Sequence, residues 1–179
     1  MIHVALLRAV NLAGHNRVAM ADLRGMLSDL GFANPRTVLQ SGNAVFESES
    51  STGKKLEQVL ERATAERLGV DTNYFVRTAD QWRSIVADNP FPEEARDDPA
   101  HLLVTLLKDT PTRARLTALQ HAITGREVVR AMGDHAYVVF PDGIGRSRLT
   151  TAVTEKHLGT RATGRNWNTV LKLDTLARG

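Results

Sequence analysis

Cysteine is absent from this chain of 179 residues. Its absence excludes disulfide bonds, thiolate metal ligands and cysteine nucleophiles, and it favours a reducing compartment. No segment approaches the ~20 consecutive apolar residues that a membrane-spanning helix requires. The apolar stretch at residues 1–10 lacks the basic start and the cleavage site of a secretion signal. We therefore expect a cytoplasmic protein with no membrane partner.

Several functional signatures are missing as well. The six histidines do not show zinc-ligand spacing, and neither a Gly-x-Ser-x-Gly nor a Rossmann fingerprint occurs. Ser51-Thr52-Gly53-Lys54 resembles the end of a phosphate-binding loop, but the first glycine of that motif is absent, so we interpret it as a helix entry. The sequence therefore indicates no metal, no cofactor and no familiar class of enzyme.

The charge is unevenly distributed along the chain. Residues 1–124 carry 14 Lys and Arg against 15 Asp and Glu, whereas residues 125–179 carry 9 against 5. A basic C-terminal third favours phosphate-bearing partners, although an excess of this size is also usual for a solvated surface. Aromatic residues make up only 5% of the chain, which disfavours recognition of single-stranded RNA by stacking.

The first part of the chain alternates β-rich runs with helical patterns. Residues 2–10 are apolar on both faces, as in a central strand, and apolar residues recur at helical spacing over 20–30 and 56–63. Three further β-rich runs lie at residues 37–40, 44–46 and 73–77. This order predicts a βαββαβ unit of the ferredoxin-like type, with a two-residue turn at Ser41-Gly42.

The same order starts again after a capping-box signal at Thr78–Gln81 and a proline-rich stretch at residues 89–99. A strand at His101–Leu107 is followed by a helix with Thr110 as its predicted N-cap. The later features are a hairpin across Gly133-Asp134, a helix ended by Gly159, an imperfect closing strand near Arg161 and a final helix from about Asn166.

We therefore predict an α+β protein made of two tandem ferredoxin-like (βαββα-type) subdomains with antiparallel sheets. The predicted boundaries are residues 1–78 for the N-terminal βαββαβ subdomain and 79–99 for a helix and linker. Residues 100–179 would form the C-terminal βαββα subdomain with its final helix.

Three segments should meet at one end of the first sheet: the exit of the first strand, the loop that follows, and the hairpin tip. The candidate ligand-binding residues there are Arg8, Asn11, Gln40, Ser41 and Asn43. Arg8 interrupts an apolar run, and a half-buried guanidinium needs a carboxylate, carbonyls or a bound anion. The alternatives are that Arg8 reaches solvent or pairs with Glu47, and that residues 40–43 are only a turn.

A second cluster is the glycine-rich segment 141–148, which contains Arg146 and Ser147. Ser147 is the predicted N-cap of the next helix, and backbone N–H groups at a helix start favour an anion. An ordinary turn with a structural cap explains the same residues.

A third cluster contains Arg165 and Asn168, with Lys172 one helical turn beyond Asn168. An arginine beside a tryptophan at a helix start can stack on a base or hold a phosphate. The structural alternative is that Asn166 caps the helix while Trp167 is buried.

The chain resembles a bacterial family of uncharacterised proteins known as domain of unknown function sixteen ninety-seven. The matching segments follow the family's order over nearly the whole sequence. They are residues 5–11 (ALLRAVN), 20–24 (MADLR), 40–46 (QSGNAVF), 76–78 (VRT), 89–92 (NPFP), 141–147 (PDGIGRS) and 165–170 (RNWNTV).

This chain departs from the family pattern at a few positions. Ala9 stands where the family usually has glycine, Leu12-Ala13 replaces a small or glycine-bearing pair, and Arg148 replaces a lysine. The resemblance implies an α+β fold of two subdomains, and it implies no established activity, substrate or cofactor.

Three functional hypotheses follow. The favoured one is binding of a phosphate-bearing ligand, a nucleotide or a nucleic acid, through the arginine, asparagine and glutamine side chains. The first alternative is a hydrolase or transferase that acts on a small phosphorylated substrate, with Ser41 or His15 as the reacting group. The second alternative is a non-catalytic module that forms a homodimer through exposed sheet edges.

Overall fold

The computed structural model describes residues 1–49 and 53–179, so Ser51 and Thr52 of the predicted helix entry lie outside the described residues. The chain forms two compact units. The first comprises Met1–Ala87 and Leu171–Gly179, and the second comprises Asp88–Val170. Residues 79–87 and 171–179 thus group with the first unit, whereas the sequence prediction placed them in the linker and in the C-terminal subdomain.

The first unit contains a four-stranded antiparallel sheet in the order β2-β3-β1-β4. This is the strand order of the ferredoxin-like fold. Its elements are β1 Ile2–Leu7, α1 Met20–Asp29, β2 Ala33–Thr37, β3 Asn43–Glu47, α2 Gly53–Leu68, β4 Tyr74–Thr78 and α3 Ala79–Ala87.

The central strand β1 is buried on both faces of the first sheet, as its uniformly apolar sequence predicts. Ala5 and Leu7 pack in one cluster with residues of α1 and α2 such as Leu23 and Leu60. The alternate β1 residues, Val4 and Leu6, are also fully buried, and α3 contacts β1 and β4. The predicted capping box is confirmed, because the Thr78 N–H donates to Gln81 Oε1 and the Gln81 N–H donates to Thr78 Oγ1.

The prediction of the second strand at residues 37–40 is wrong. β2 lies at Ala33–Thr37, and the connection to β3 is the longer tip 38–42, not a two-residue turn. Asn34-Pro35 resembles a turn, and Asn34 indeed has a φ of 50° where the pairing with β3 shifts register. An edge strand tolerates proline and such an irregularity, because one of its sides makes no ladder hydrogen bonds.

The second unit contains a sheet of the same topology, in the order β6-β7-β5-β8. Its closing strand is complete, so this half is βαββαβ, and the predicted pair of tandem ferredoxin-like subdomains is confirmed. The elements are α4 Pro92–Asp97, a 3₁₀ helix Pro99–His101, β5 Leu102–Leu107, α5 Arg113–Ala122, β6 Val128–Met132, β7 His135–Val139, α6 Thr151–Leu158 and β8 Ala162–Asn166. The last helix, α7 Trp167–Ala177, starts in this unit and belongs to the first unit from Leu171 onward.

Two helix starts differ from the sequence prediction. The N-cap of α5 is Thr112, whose side chain accepts from the Arg115 N–H, and not Thr110. The N-cap of α6 is Thr150, whose side chain accepts from the Val153 N–H, and not Ser147. In each case a threonine two or three residues further along adopts the extended backbone that an N-cap needs.

β1, β3 and β4 correspond in register, position by position, to β5, β7 and β8. His3 pairs with Phe46 and Thr78, and in the second unit Leu103 pairs with Val138 and Asn166. The Leu7 N–H donates to the Gly42 carbonyl over 2.8 Å, and the Leu107 N–H donates to the Asp134 carbonyl over the same distance. Residues of β1 therefore have counterparts 100 positions later in β5.

None of the helices within residues 1–49 and 53–179 combines the length and the apolar character needed to cross a bilayer.

Candidate functional site

The loop after β1 and the hairpin tip before β3 lie together at one end of the first sheet. Asn11 joins them, because its Nδ2 donates to the Gln40 carbonyl over 2.6 Å and to the Val18 carbonyl over 2.9 Å. Its Oδ1 accepts from the Val18 N–H over 2.9 Å. The side chain of Asn11 thus closes the loop 8–19 on itself and fixes it to the tip 38–42.

This edge concentrates residues with a left-handed backbone that are not glycine. Such a conformation costs roughly 1–2 kcal/mol for most side chains, so it persists only where the surroundings enforce it. In the second unit the corresponding residues 108–112, all of which the structure describes, have no positive φ. The left-handed residues of the edge are Ala9, Asn11, Ala13, Asn16 and Leu39, with φ between 47° and 58°.

The tip is packed tightly against the strand below it. A Cβ on Gly42 would lie 2.6 Å from Val10 Cγ2 and 2.8 Å from Leu7 Cβ, and the residue has a φ of 76°. Only glycine fits both the backbone conformation and the space. Any side chain at position 42 would therefore push the tip away from β1.

Of the predicted residues at this edge, Gln40 is exposed and Asn43 is fully buried. Asn43 Nδ2 donates to the Val38 carbonyl over 2.9 Å and to Ser41 Oγ over 2.8 Å. Asn43 and Ser41 therefore brace the turn, as the structural alternative stated. Their role in ligand binding stays a prediction.

Arg8 is half-buried where β1 ends. Its backbone N–H donates to the Asn73 carbonyl over 2.9 Å, and its carbonyl accepts from Thr72 Oγ1 over 2.7 Å. The alternative in which Arg8 pairs with Glu47 is wrong, because Glu47 pairs in register with Ile2 at the opposite end of the strand. Glu47 Oε1 instead accepts from Asn34 Nδ2 over 2.8 Å.

Exposed polar side chains of the loop 8–19 complete the edge. His15, Asn16 and Arg17 are all exposed, and a Cβ on Gly14 would lie 3.7 Å from Arg17 Nη2. The sequence placed Arg17 with the polar residues of this loop but not among the candidate ligand-binding residues. In the structure it precedes Val18, whose backbone N–H and carbonyl are both bonded to the Asn11 side chain.

The second and third clusters share one end of the second sheet. Val139, the last residue of β7, pairs with Leu102 at the start of β5, and Asn166, the last residue of β8, pairs with Leu103. The segment 141–148 and the start of α7 therefore follow two strands that end on either side of β5. The sequence did not suggest this proximity, because it depends on the strand order.

Within segment 141–148, Arg146 is exposed and Ser147 is half-buried. Ser147 Oγ donates to Glu127 and accepts from the Leu149 N–H over 3.0 Å, so its hydroxyl anchors the segment to the entry of β6. Asp142 is paired with Arg126, whose guanidinium lowers the pKa of that carboxyl below its ordinary value.

Arg165 makes the contacts of a structural arginine. Its Nη1 donates to Thr163 Oγ1 over 2.9 Å and to the Gly164 carbonyl over 2.8 Å, and desolvation lowers its pKa to about 10. Arg77, at the same register in the first unit, likewise donates to the carbonyl of its preceding residue, and it lies 3.9 Å from Glu57. The repeated arginine indicates a role in the scaffold of each unit.

At the start of α7, Asn166 Oδ1 accepts from the Thr169 N–H over 3.0 Å and Trp167 is buried. These are the contacts of the structural alternative, a capped helix with a buried tryptophan. Asn168 and Lys172 are exposed, and their spacing places them on one side of the helix. No group of His, Asp and Glu side chains suited to a metal ion occurs among the residues that the structure describes.

Comparison with known proteins gives the family. The family model described as "Protein of unknown function (DUF1697)" matches residues 1–137. The chain belongs to this family. The left-handed φ of 53° at Ala9 agrees with the glycine that the DUF1697 resemblance places there.

A solved structure shares the fold over the whole chain. It is "The structure of conserved bacterial protein SP0830 from Streptococcus pneumoniae", which is 19% identical in sequence with a TM-score of 0.75. The similarity covers 99% of this chain and 98% of that one. No curated protein matches the sequence. At this identity the likeness establishes the fold alone.

Proposed function

We propose that the chain binds a phosphate-bearing ligand, a nucleotide or a nucleic acid, at the edge formed by residues 8–19 and 38–42. Arg17 and Arg8 supply positive charge there, and Asn16 and Gln40 supply exposed amides. Guanidinium groups form charge-assisted hydrogen bonds with phosphate oxygens, and amides match the donor and acceptor pattern of bases.

The contrast between the two units carries this proposal. The second unit builds the same fold with only residues 108–112 between β5 and α5, and with Gly133-Asp134 between β6 and β7. The longer loop and tip of the first unit are therefore not required by the fold, and their left-handed residues oppose folding. Backbone strain that is held by specific hydrogen bonds, such as those of Asn11, is typical of ligand sites.

The other predicted residues support the proposal to different degrees. Arg146, Asn168 and Lys172 are exposed and are available to the same class of ligand. Asn43, Ser147 and Arg165 make internal hydrogen bonds, so in this proposal they hold neighbouring groups in place.

The test is a salt titration of binding. Fluorescence anisotropy with a labelled single-stranded oligonucleotide, and with ATP as competitor, is followed from about 50 to about 200 mM salt. We expect log K to fall linearly with log salt, and Arg17→Gln to weaken binding and to reduce the slope by about one.

The matched control is Lys55→Gln. Lys55 is an exposed cation in the first turn of α2, which follows the end of β3 opposite to the tip 38–42. Lys55→Gln removes one positive charge, as Arg17→Gln does, so the net charge of the two variants is the same. A flat salt dependence, or equal losses in the two variants, would overturn the proposal.

A further inference from the structure

The second unit contains a cavity on the helix-covered face of its sheet. The cavity measures about 250 Å³ and is lined by β5, β7 and β8 together with the start of α6. Every residue that lines it is uncharged. Its hydroxyl groups come from threonines, among them Thr105 on β5 and Thr154 on α6.

The cavity exists because the second unit has small side chains where the first has large ones. By register, Phe46 corresponds to Val138, Tyr74 to Ala162, and Val76 to Gly164. In the first unit Phe46 stacks on Phe32 with ring centroids 4.8 Å apart, and Tyr74 is fully buried. Two aromatic rings are therefore missing from the second unit's version of the same core.

The covering helix is also shorter in the second unit. α2 contains 16 residues, whereas α6, its counterpart in the order of elements, contains 8. The sheet and α6 thus leave a pocket that is partly open to solvent, where Phe46 and Tyr74 fill the corresponding space of the first unit. Such a pocket can admit a small molecule.

Gly164 and Thr105 form the floor of the cavity. A Cβ on Gly164 would lie 3.2 Å from Leu103 Cδ2 and 3.4 Å from Thr105 Oγ1, so a side chain at this position would crowd both residues at the floor. Thr105 is 8% exposed, and its hydroxyl has no hydrogen-bond partner among the described residues. Because Thr105 lines the cavity, its hydroxyl is available to a hydrogen-bonding group of a ligand.

We propose that this cavity binds a small uncharged aromatic molecule that carries one hydroxyl group, with the ring over Gly164 and the hydroxyl at Thr105. The apolar lining without charged groups excludes a carboxylate or an ammonium ion, whose burial would be uncompensated. The volume suits a substituted benzene ring, since a cavity of about 150 Å³ already accommodates benzene. This site is separate in residues and in chemistry from the phosphate-binding edge.

The first unit supplies the model for this ligand. There the phenol ring of Tyr74 is buried in the core, and its hydroxyl lies 2.7 Å from Thr64 Oγ1 on α2. Ala162 occupies the register of Tyr74 in the second unit and lines the cavity. A free phenol would supply the aromatic ring that the second unit lacks, and its hydroxyl would bond to Thr105 on the central strand where Tyr74 bonds to a threonine of the covering helix.

The experiment is a titration of the full-length protein with 4-methylphenol, followed by amide chemical shifts. We expect saturable shifts at Thr105, Ala162 and Gly164, with a dissociation constant on the order of 1 mM for so small a ligand. Gly164→Val introduces the residue that Val76 provides in the first unit and should weaken binding at least about tenfold. Thr105→Val should weaken binding of 4-methylphenol several-fold and leave that of toluene unchanged.

Gly164→Ala is prepared alongside, because it adds only one methyl group and tests the site if the valine variant does not fold. Its control is Gly25→Ala, which adds the same methyl group where nothing lies within 4 Å. The proposal is overturned if 4-methylphenol leaves the resonances of the cavity unshifted, or if filling position 164 does not weaken binding. Loss of affinity in Gly25→Ala equal to that in Gly164→Ala would overturn it as well.

Discussion

His3 lies within the core of the first unit although imidazole is a polar group. It is fully buried between Phe46 and Thr78 of the neighbouring strands, with its ring centroid 5.7 Å from that of Phe46. Desolvation lowers the pKa of His3 below its ordinary value of 6.5, and this outweighs a contact with the Ser48 backbone that raises it. At neutral pH the folded protein therefore holds this imidazole in its neutral form.

The lowered pKa predicts a loss of stability in mild acid. As the pH falls through 6.5, the unfolded chain takes up a proton on His3 that the folded chain does not, so the free energy of unfolding decreases. The limiting slope is about 1.4 kcal/mol per pH unit for one such group. His3→Leu introduces the residue found at position 103. We expect it to reduce the pH dependence of the unfolding free energy, measured by urea denaturation at pH 7 and at pH values below 6.5. Identical slopes for the two proteins would contradict it.

Single residues also set the limit of what the sequence could predict about the site. Asparagine and serine, the residue types at positions 11, 41 and 43, commonly bind ligands, and they equally commonly stabilise turns by hydrogen bonds to the backbone. The choice depends on which carbonyl lies within reach, and for Asn11 that is the carbonyl of Gln40, 29 positions away. Arg165 is the same case, because its resemblance to Arg77 appears only when the two registers are compared.

At the scale of elements, the two β-hairpin tips make the same hydrogen bond but differ in how tightly they are packed. In each unit a tip carbonyl accepts from the central strand, Gly42 from the Leu7 N–H and Asp134 from the Leu107 N–H. Gly42 is enclosed by Val10 and Leu7, whereas nothing lies within 4 Å of a Cβ built on Gly133. Both glycines have positive φ, of 76° and 60°.

This difference predicts unequal costs for the same substitution. Gly133→Ala should lose about 1 kcal/mol of unfolding free energy, because alanine is strained at positive φ. Gly42→Ala adds overpacking against backbone-proximal atoms and should lose about 1–3 kcal/mol more. Chemical denaturation of both variants measures the difference. Equal losses of unfolding free energy would contradict the prediction, because they would show that Val10 and Leu7 move aside at no cost.

The elements that the sequence predicted well are those with strong local signals. Apolar residues at helical spacing located α1 and α2, and reciprocal side chains located the start of α3. β2 was misplaced, and α4 was not predicted, because residues 89–99 were taken as a linker. Asn34-Pro35 and the prolines at 90 and 92 carry turn signals that an edge strand and a helix N-terminus also accept.

For the whole molecule, the main departure from expectation is the allocation of the C-terminal helix. α7 begins in the second unit, and its part from Leu171 onward belongs to the first. Arg36 of β2 donates from Nη2 to the Leu176 carbonyl over 2.8 Å, and Leu173 is fully buried. Such long-range packing leaves no trace in the local pattern of residues 166–179, which is that of any amphipathic helix.

This allocation predicts the effect of removing residues 171–179. Without them, Arg36 loses its acceptor and the first unit loses buried apolar surface. We expect amide hydrogen exchange in β2 and β3 to accelerate at least about tenfold, while the β5–β7 ladder keeps its protection. Arg36→Gln in the intact chain should reproduce part of the change in β2. Exchange that accelerates only in the second unit would contradict the allocation.

The shared register of the two halves also bears on how the sequence can diversify. A genetic crossover that replaces β8 with β4, or β5 with β1, would transplant a whole strand without altering the pleat of its new neighbours. Every residue would keep the face of the sheet on which it lay before the exchange. The chain thus contains two different sequences for each of these strands, and both sequences fold in the same register.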